Sequence, residues 1–196
     1  MALAGTFDAF SILEVALWLQ NVGRPGCLIA EVGHGEALVW FGERGIVAAE
    51  SASGYAQEPA AVLFEILRAG PIAWRYQSLV SPPGGGAAPV DVSSCAASME
   101  NLVAEWADLL ALVPSVDGYV HLNERLAQDV TLNADRWDAV RRLAGGPVAA
   151  KAMFNFIDDL DARRRIADLV RAGLAVVELP APPEPVRTLD PAAASR

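Results

Sequence analysis

The stretch GCLIAEVGHGEALVWFGERGIVAAES, residues 26–51, constrains the fold more than any other part of the chain. It holds three apolar runs, Cys27–Val32, Ala37–Phe41 and Ile46–Glu50. Between them lie Gly33-His34-Gly35-Glu36 and Gly42-Glu43-Arg44-Gly45. The runs are short for helices and rich in β-branched and aromatic residues, which suits strands. A parallel crossover needs about a dozen residues, and these connections are far shorter. Short glycine-bracketed turns between strands predict an antiparallel meander.

The flanks extend this sheet. Leu3 to Phe7 reads as an edge strand. Ser11 and Glu14 have the spacing of a capping box, so a helix is expected to follow to about Val22 and to stop at Gly23. Its residues Ile12, Leu13, Val15, Ala16, Leu17, Trp18 and Leu19 leave almost no polar face, which predicts wide burial. Arg24-Pro25-Gly26 is a turn. A second helix is expected over Glu58 to Ala69, with Pro59 in its first turn and Gly70 at its stop. Ile72, Trp74 and Tyr76 alternate with Ala73, Arg75 and Gln77, the period of a half-buried strand.

Ser81 to Pro89 is rich in proline and glycine and reads as a linker and domain boundary. After it, Val92, Cys95, Met99, Leu102, Trp106, Leu109 and Val113 recur at spacings of three and four. That is a heptad seam on a helix of about 22 residues ended by Pro114. Residues 114–130 look irregular. From 131 to 179 three short helices and a strand are expected. Thr131 or Asn133 would cap the first helix, Val148 to about Ile157 would form the second, and Asp158 or Asp159 would cap the third. Gly173 would stop the third helix, and Leu174–Leu179 would form the strand. Residues 180–196 are proline- and alanine-rich, the composition of a disordered tail. The predicted class is α+β: a small, mostly antiparallel sheet with two helices over residues 1–80, the linker 81–89, a long helix 90–113, an irregular connection, then a helical region resembling a winged helix.

Charge limits the partners. Residues 1–120 carry four arginines and no lysine against thirteen acids, which accounts for the whole net charge of −9. The rest carries eleven groups of each sign. An acidic surface repels phosphate backbones and anionic lipid, so the first part is not expected to bind nucleic acid. No apolar run reaches the roughly 20 residues that span a bilayer. The start has no basic segment and meets Asp8 early, so no signal peptide is expected. Cys27 and Cys95 form no disulfide framework, which fits a cytoplasmic protein with reduced thiols.

The ordered series LAGTF, FSILEVALWLQ, GRPGCLIAEV, ALVWFGERGIVAAES and EPAAVLFEILRAGPIAWRY, within residues 3–77, resembles the PATAN (DUF4388) domain. Where that family usually has Thr-Gly, this chain has Pro25-Gly26. CAASMENLVAEWADLL resembles the helix that often follows the domain. LNADRWDAVRRLAGG and IADLVRAGLAVVE resemble its winged-helix-like end. The resemblance implies a bacterial signalling or regulatory protein that acts by binding other proteins and has no catalytic residues.

The chain's own chemistry agrees. Two histidines, His34 and His121, and no C-x-x-C or H-E-x-x-H leave no zinc-ligand spacing. Gly84-Gly85-Gly86 has no lysine after it, so it is no phosphate loop. No nucleophile elbow is present. No metal, cofactor or catalytic residue is therefore predicted. Two candidate surfaces remain. The seam is expected first to pack on the chain's own sheet or C-terminal region, as most amphipathic helices do, and could alternatively dock a protein partner, a second copy of the chain included. Arg163, Arg164 and Arg165, on the third helix of the winged-helix-like region, carry the alternative of DNA contact. Three consecutive helical residues fan over about 200°, however, and cannot all face one groove. A sensor of a nucleotide second messenger is the other alternative.

Overall fold

The computed structural model describes residues 2–7, 11–33, 35–125, 129–153 and 159–179. The chain divides into two compact units, Met1–Asp108 and Leu109–Arg196. It combines helices with antiparallel sheet, as the α+β prediction requires.

The first unit is built on β1 (Ala2–Thr6), α1 (Ile12–Val22), β2 (Gly26–Val32), β3 (Gly35–Gly42), β4 (Gly45–Glu50), α2 (Pro59–Ala69) and β5 (Ala73–Ser78). The strands form one antiparallel sheet in the order β1-β5-β2-β3-β4. The meander is β2-β3-β4, and β1 is an edge strand as expected. Ser11 caps α1 with the full capping box: its Oγ accepts from the Glu14 amide at 3.2 Å, and its own amide donates to the Glu14 carboxylate at 2.7 Å. Gly23 ends the helix in the left-handed region at φ 64°. One sheet face, with Leu28, Ala30, Val39, Phe41 and Ile46, is buried beneath the helices. Burying each of the larger ones, Leu28, Val39, Phe41 and Ile46, contributes on the order of 2 kcal/mol. The opposite face carries a smaller cluster around Cys27, Ile29 and Trp40.

The wide burial expected for α1 is not what the fold does. Ile12, Val15, Ala16 and Leu19 are buried, but Leu17, Trp18 and Val22 are exposed. The buried set repeats at i, i+3, i+4 and i+7, one stripe of a helix. The remaining apolar residues lie off that stripe.

The proline- and glycine-rich segment also departs from expectation. Residues 81–89 are not a free linker, and the division between units falls later, between Asp108 and Leu109. The Ala87 amide donates to the Val47 carbonyl at 2.9 Å. Ile46 and Val90 exchange two backbone hydrogen bonds, at 2.9 and 2.8 Å. This part of the edge of β4 is thereby covered. Asp91 then caps α3 (Val92–Leu112), accepting from the Ser93 amide at 2.8 Å. Gln20 of α1 fixes this corner: it donates to Asp91 at 2.9 Å and accepts from the Val92 amide at 2.9 Å.

The second unit contains β6 (Tyr119–Leu122), α4 (Ala134–Leu143), β7 (Val148–Ala149), α5 (Ala150–Met153), α6 (Asp159–Arg171) and β8 (Ala175–Glu178). Three helices and a final strand run from α4 to β8, with the unexpected β7 between α4 and α5. The antiparallel sheet has the order β7-β6-β8. The central strand comes from the segment predicted to be irregular. Among the described residues, no strand follows β8 to make a hairpin wing. Val148 to Ile157 was expected as helix throughout, but Val148 and Ala149 pair with β6 instead. Residues 154–158, with the expected cap Asp158, lie outside the described residues, as does the expected tail 180–196.

Asn133 caps α4, accepting from the Arg136 amide at 2.9 Å. Arg136 donates from Nε and Nη2 to both oxygens of Asp168 at 2.8 and 2.7 Å. These bonds hold the Asp168 carboxyl below its ordinary value of 3.8. A depressed folded value adds stability above the ordinary value, and that stability is lost as pH falls through the folded value. The thermal midpoint of the chain is therefore expected to fall below about pH 4, and Asp168→Asn to flatten part of that fall. The pair is half-exposed, so the effect should stay under about 1 kcal/mol. An unchanged acid limb in the Asp168→Asn melting series would contradict this.

Candidate functional site

Among the described residues, the helices of the first unit leave one part of its sheet uncovered. α1 and α2 pack against each other, α2 over β2, β3 and β4, and α1 over β3. Two helices of about 10 Å diameter cover roughly four strands spaced about 4.8 Å. The sheet has five strands, so one edge projects past the helices. That edge is β1. Leu3 pairs with Tyr76 and Gly5 with Trp74, while Leu28 and Ala30 pair with the same two aromatic residues. Leu3 and Gly5 thus share the face that the helices cover elsewhere.

The result is a groove of about 750 Å³, with β1 as one wall, Glu14, Val15 and Trp18 of α1 as the other, and Trp74 at its base. Trp18 is 50% exposed. Phe7 stacks on Trp74 with ring centres 5.8 Å apart. Gly5 lies against the indole edge of Trp74, where an added Cβ would sit 3.0 Å from Cζ2. Only glycine fits there without moving the ring. The buried Nε1–H of Trp74 meets no acceptor among the described residues. Glu14, the one charged residue among the described lining, is already engaged with Ser11. Chemically the groove offers apolar and aromatic contact beside the edge strand β1.

The expected interface residues lie elsewhere and face inward. Val92, Cys95, Met99, Leu109 and Val113 are buried, and Leu102 and Trp106 are partly buried. Trp106 meets Phe64 of α2 edge-on at 6.0 Å. The Arg68 guanidinium lies 4.0 Å from the centre of the Trp106 ring. The heptad period therefore records packing within the fold, and the seam offers no free docking face.

The three arginines also separate. Arg163 is 6% exposed; it donates to Asp159 at 3.3 Å and to the Val113 carbonyl. Arg164 is half-buried and pairs with Asp161 at 3.2 Å. Arg165 is exposed. A cleft of about 350 Å³ nearby is lined by Arg136, Arg164 and Arg165 together with Asp135, Asp161 and Asp168. Its charges balance, which suits neither phosphate nor a cation. The arginine row expected for DNA contact is thus broken at Arg163.

His121 lies on β6 with Nε2 2.7 Å from Glu178, and His34 lies outside the described residues. Among the described residues, no three His, Cys, Asp or Glu side chains gather to hold a metal. No described helix is long and apolar enough to cross a membrane. Cys27 and Cys95 are unpaired and buried. Burial pushes the Cys27 thiol up to about 12 and raises that of Cys95. Thiolate is the reactive form, so both should resist alkylation by iodoacetamide at pH 8 in the native chain and react on unfolding. Native labelling as fast as in urea would refute this.

Residues Leu3, Gly5, Trp18 and Trp74 were not singled out as a site from the sequence. The usable signal was Trp18, an aromatic off the buried stripe of α1. No family model, curated protein or solved structure matches the chain.

Proposed function

We propose that the chain is a non-enzymatic, cytoplasmic signalling or scaffolding protein that acts through protein–protein contact, as its resemblance to the PATAN (DUF4388) domain implies. The observation that carries this reading is the groove beside β1, with its half-exposed Trp18. Half-exposed tryptophan at an apolar groove is typical of contact surfaces, where an aromatic anchor supplies much of the binding energy. A protein segment laid along β1 gains main-chain hydrogen bonds and fills the groove with alternate side chains. The unpaired, buried thiols support the cytoplasmic setting. The burial of Arg163 weighs against DNA as the partner. The groove's volume also suits a small molecule, but Glu14, the single charged residue of its described lining, disfavours nucleotide phosphates.

The test is a tagged pull-down from nuclease-treated and untreated extracts in parallel, with the wild-type chain and with Trp18→Asp. A defined protein recovered by the wild type and lost with the variant supports the reading. Recovery of nothing but nuclease-sensitive material would overturn it.

A further inference from the structure

We propose that the groove takes a basic segment of another protein, whose apolar anchor rests on Trp18 and whose lysine or arginine meets Glu14. The inference rests on the reading that the groove docks protein, and it names the chemistry of the partner.

The charge of the first unit selects a cation. Residues 1–108 carry twelve acids against four arginines and no lysine, a net charge of −8. Two of those arginines are engaged within the unit. Arg68 lies 4.0 Å from the centre of the Trp106 ring. Arg75 pairs with Glu36 at 2.8 Å. Arg75 alternates with Trp74 along β5, so it serves the sheet face opposite the groove. None of the four arginines is in the described lining of the groove. A field of one sign draws partners of the other sign and repels acidic ones, a second copy of this chain included.

The groove repeats that sign locally. Glu14, the one charge of its described lining, is exposed. The Ser11 amide, and after it the Ser11 hydroxyl, hold the Glu14 carboxyl below its ordinary value of 4.5, so it is ionised at neutral pH. A carboxylate has about four lone-pair directions, and the Ser11 amide takes one of them. It can accept from a cation without giving up the capping box.

Spacing sets the pattern of the partner. Glu14, Trp18 and Val22 stand four residues apart on α1, one row of its surface. Trp18 is 50% exposed and Val22 is exposed too. Successive members of the row are about 6 Å apart. An extended chain covers about 6.6 Å in two residues and keeps both side chains on one side. A cation, then an apolar residue two positions on, then another two positions further, matches Glu14, Trp18 and Val22 in turn. The anchor is thereby seated on the indole while the cation reaches the carboxylate.

The test uses the full chain and fluorescence anisotropy. The probe is a labelled peptide in which lysine, serine, leucine, serine, leucine and serine follow one another twice. Its control has glutamate for lysine. At low salt the lysine peptide is expected to bind at least about tenfold more tightly, and raising salt to molar levels to shrink that ratio. Trp18→Ala should weaken the lysine peptide at least about tenfold, as loss of an aromatic anchor does. Glu14→Gln keeps a residue that completes the capping box and removes only the charge. It should weaken binding about three- to fivefold. Glu100→Gln makes the same charge change at an exposed position of α3 outside the described lining and should weaken it less than about twofold. All three variants should keep the wild-type circular dichroism spectrum. A glutamate peptide that binds as tightly overturns the proposal, as does failure of both peptides to bind. Equal losses for Glu14→Gln and Glu100→Gln overturn it too, because attraction is then general and not seated at the groove. In extracts, a Trp18-dependent partner whose capture is unchanged by Glu14→Gln and by salt removes the basic partner and leaves docking standing. If no protein is captured through Trp18, the docking reading falls with it.

Discussion

Gly45→Ala is expected to destabilise the first unit by about 3 kcal/mol or more, among the largest effects of any single methyl added to this chain. Gly45 opens β4 at φ +145°, a conformation L side chains rarely adopt and one that costs about 1–3 kcal/mol when forced. The added methyl would also collide with the Val90 carbonyl oxygen. That oxygen accepts the Ile46 amide at 2.9 Å, and the Val90 amide donates back at 2.8 Å. Relief of the collision breaks both bonds, at roughly 1 kcal/mol each. Gly84 separates the two causes, because it has φ +75° with open space around it. Urea unfolding of Gly45→Ala, Gly84→Ala and the wild type should show a small loss for Gly84→Ala and a much larger one for Gly45→Ala. Equal losses would mean that the contact with Val90 contributes nothing.

Arg163→Met is expected to cost the second unit about 3 kcal/mol. The side chain is buried and gives its guanidinium to Asp159 and to the Val113 carbonyl. Methionine has a similar reach and fills the space, but it strands a partly buried carboxylate and a backbone acceptor. Removing one partner of a buried ion pair typically costs about 3–5 kcal/mol. Arg165→Ala, on the exposed side of the same helix, should change stability by less than about 0.5 kcal/mol. Comparable unfolding midpoints for the two variants would show that Arg163 holds nothing together. The contrast also bears on function: an arginine that the fold needs for its own packing is not available to a phosphate backbone.

Local signals in the sequence were read correctly where one element contains the whole interaction. The capping box at Ser11 and Glu14, the left-handed stop at Gly23 and the cap at Asn133 each need only residues within a turn of one another. The meander was legible for the same reason, since its strands pair with their sequence neighbours. What failed was non-local. β6 has only four residues, and its partner β8 lies more than fifty positions onward, so no periodicity announces it. Composition shows that residues 81–89 prefer turns but says nothing of the strand they meet. The seam of α3 was correctly read as a helical stripe, yet a period cannot tell a neighbour in the same chain from one in another. The groove depends on a count no local pattern contains, that of two helices above five strands.

The pinning of residues 81–90 changes how this stretch should move. A proline- and glycine-rich tether would exchange its amide hydrogens within seconds, at the rate of an open chain. Here the amides of Ala87 and Val90 are bonded to β4, and that of Ile46 is bonded to Val90. Their exchange then requires the strand edge to open, and protection follows the free energy of that opening. The residues that look most like a hinge between parts of this protein should therefore keep time with the sheet.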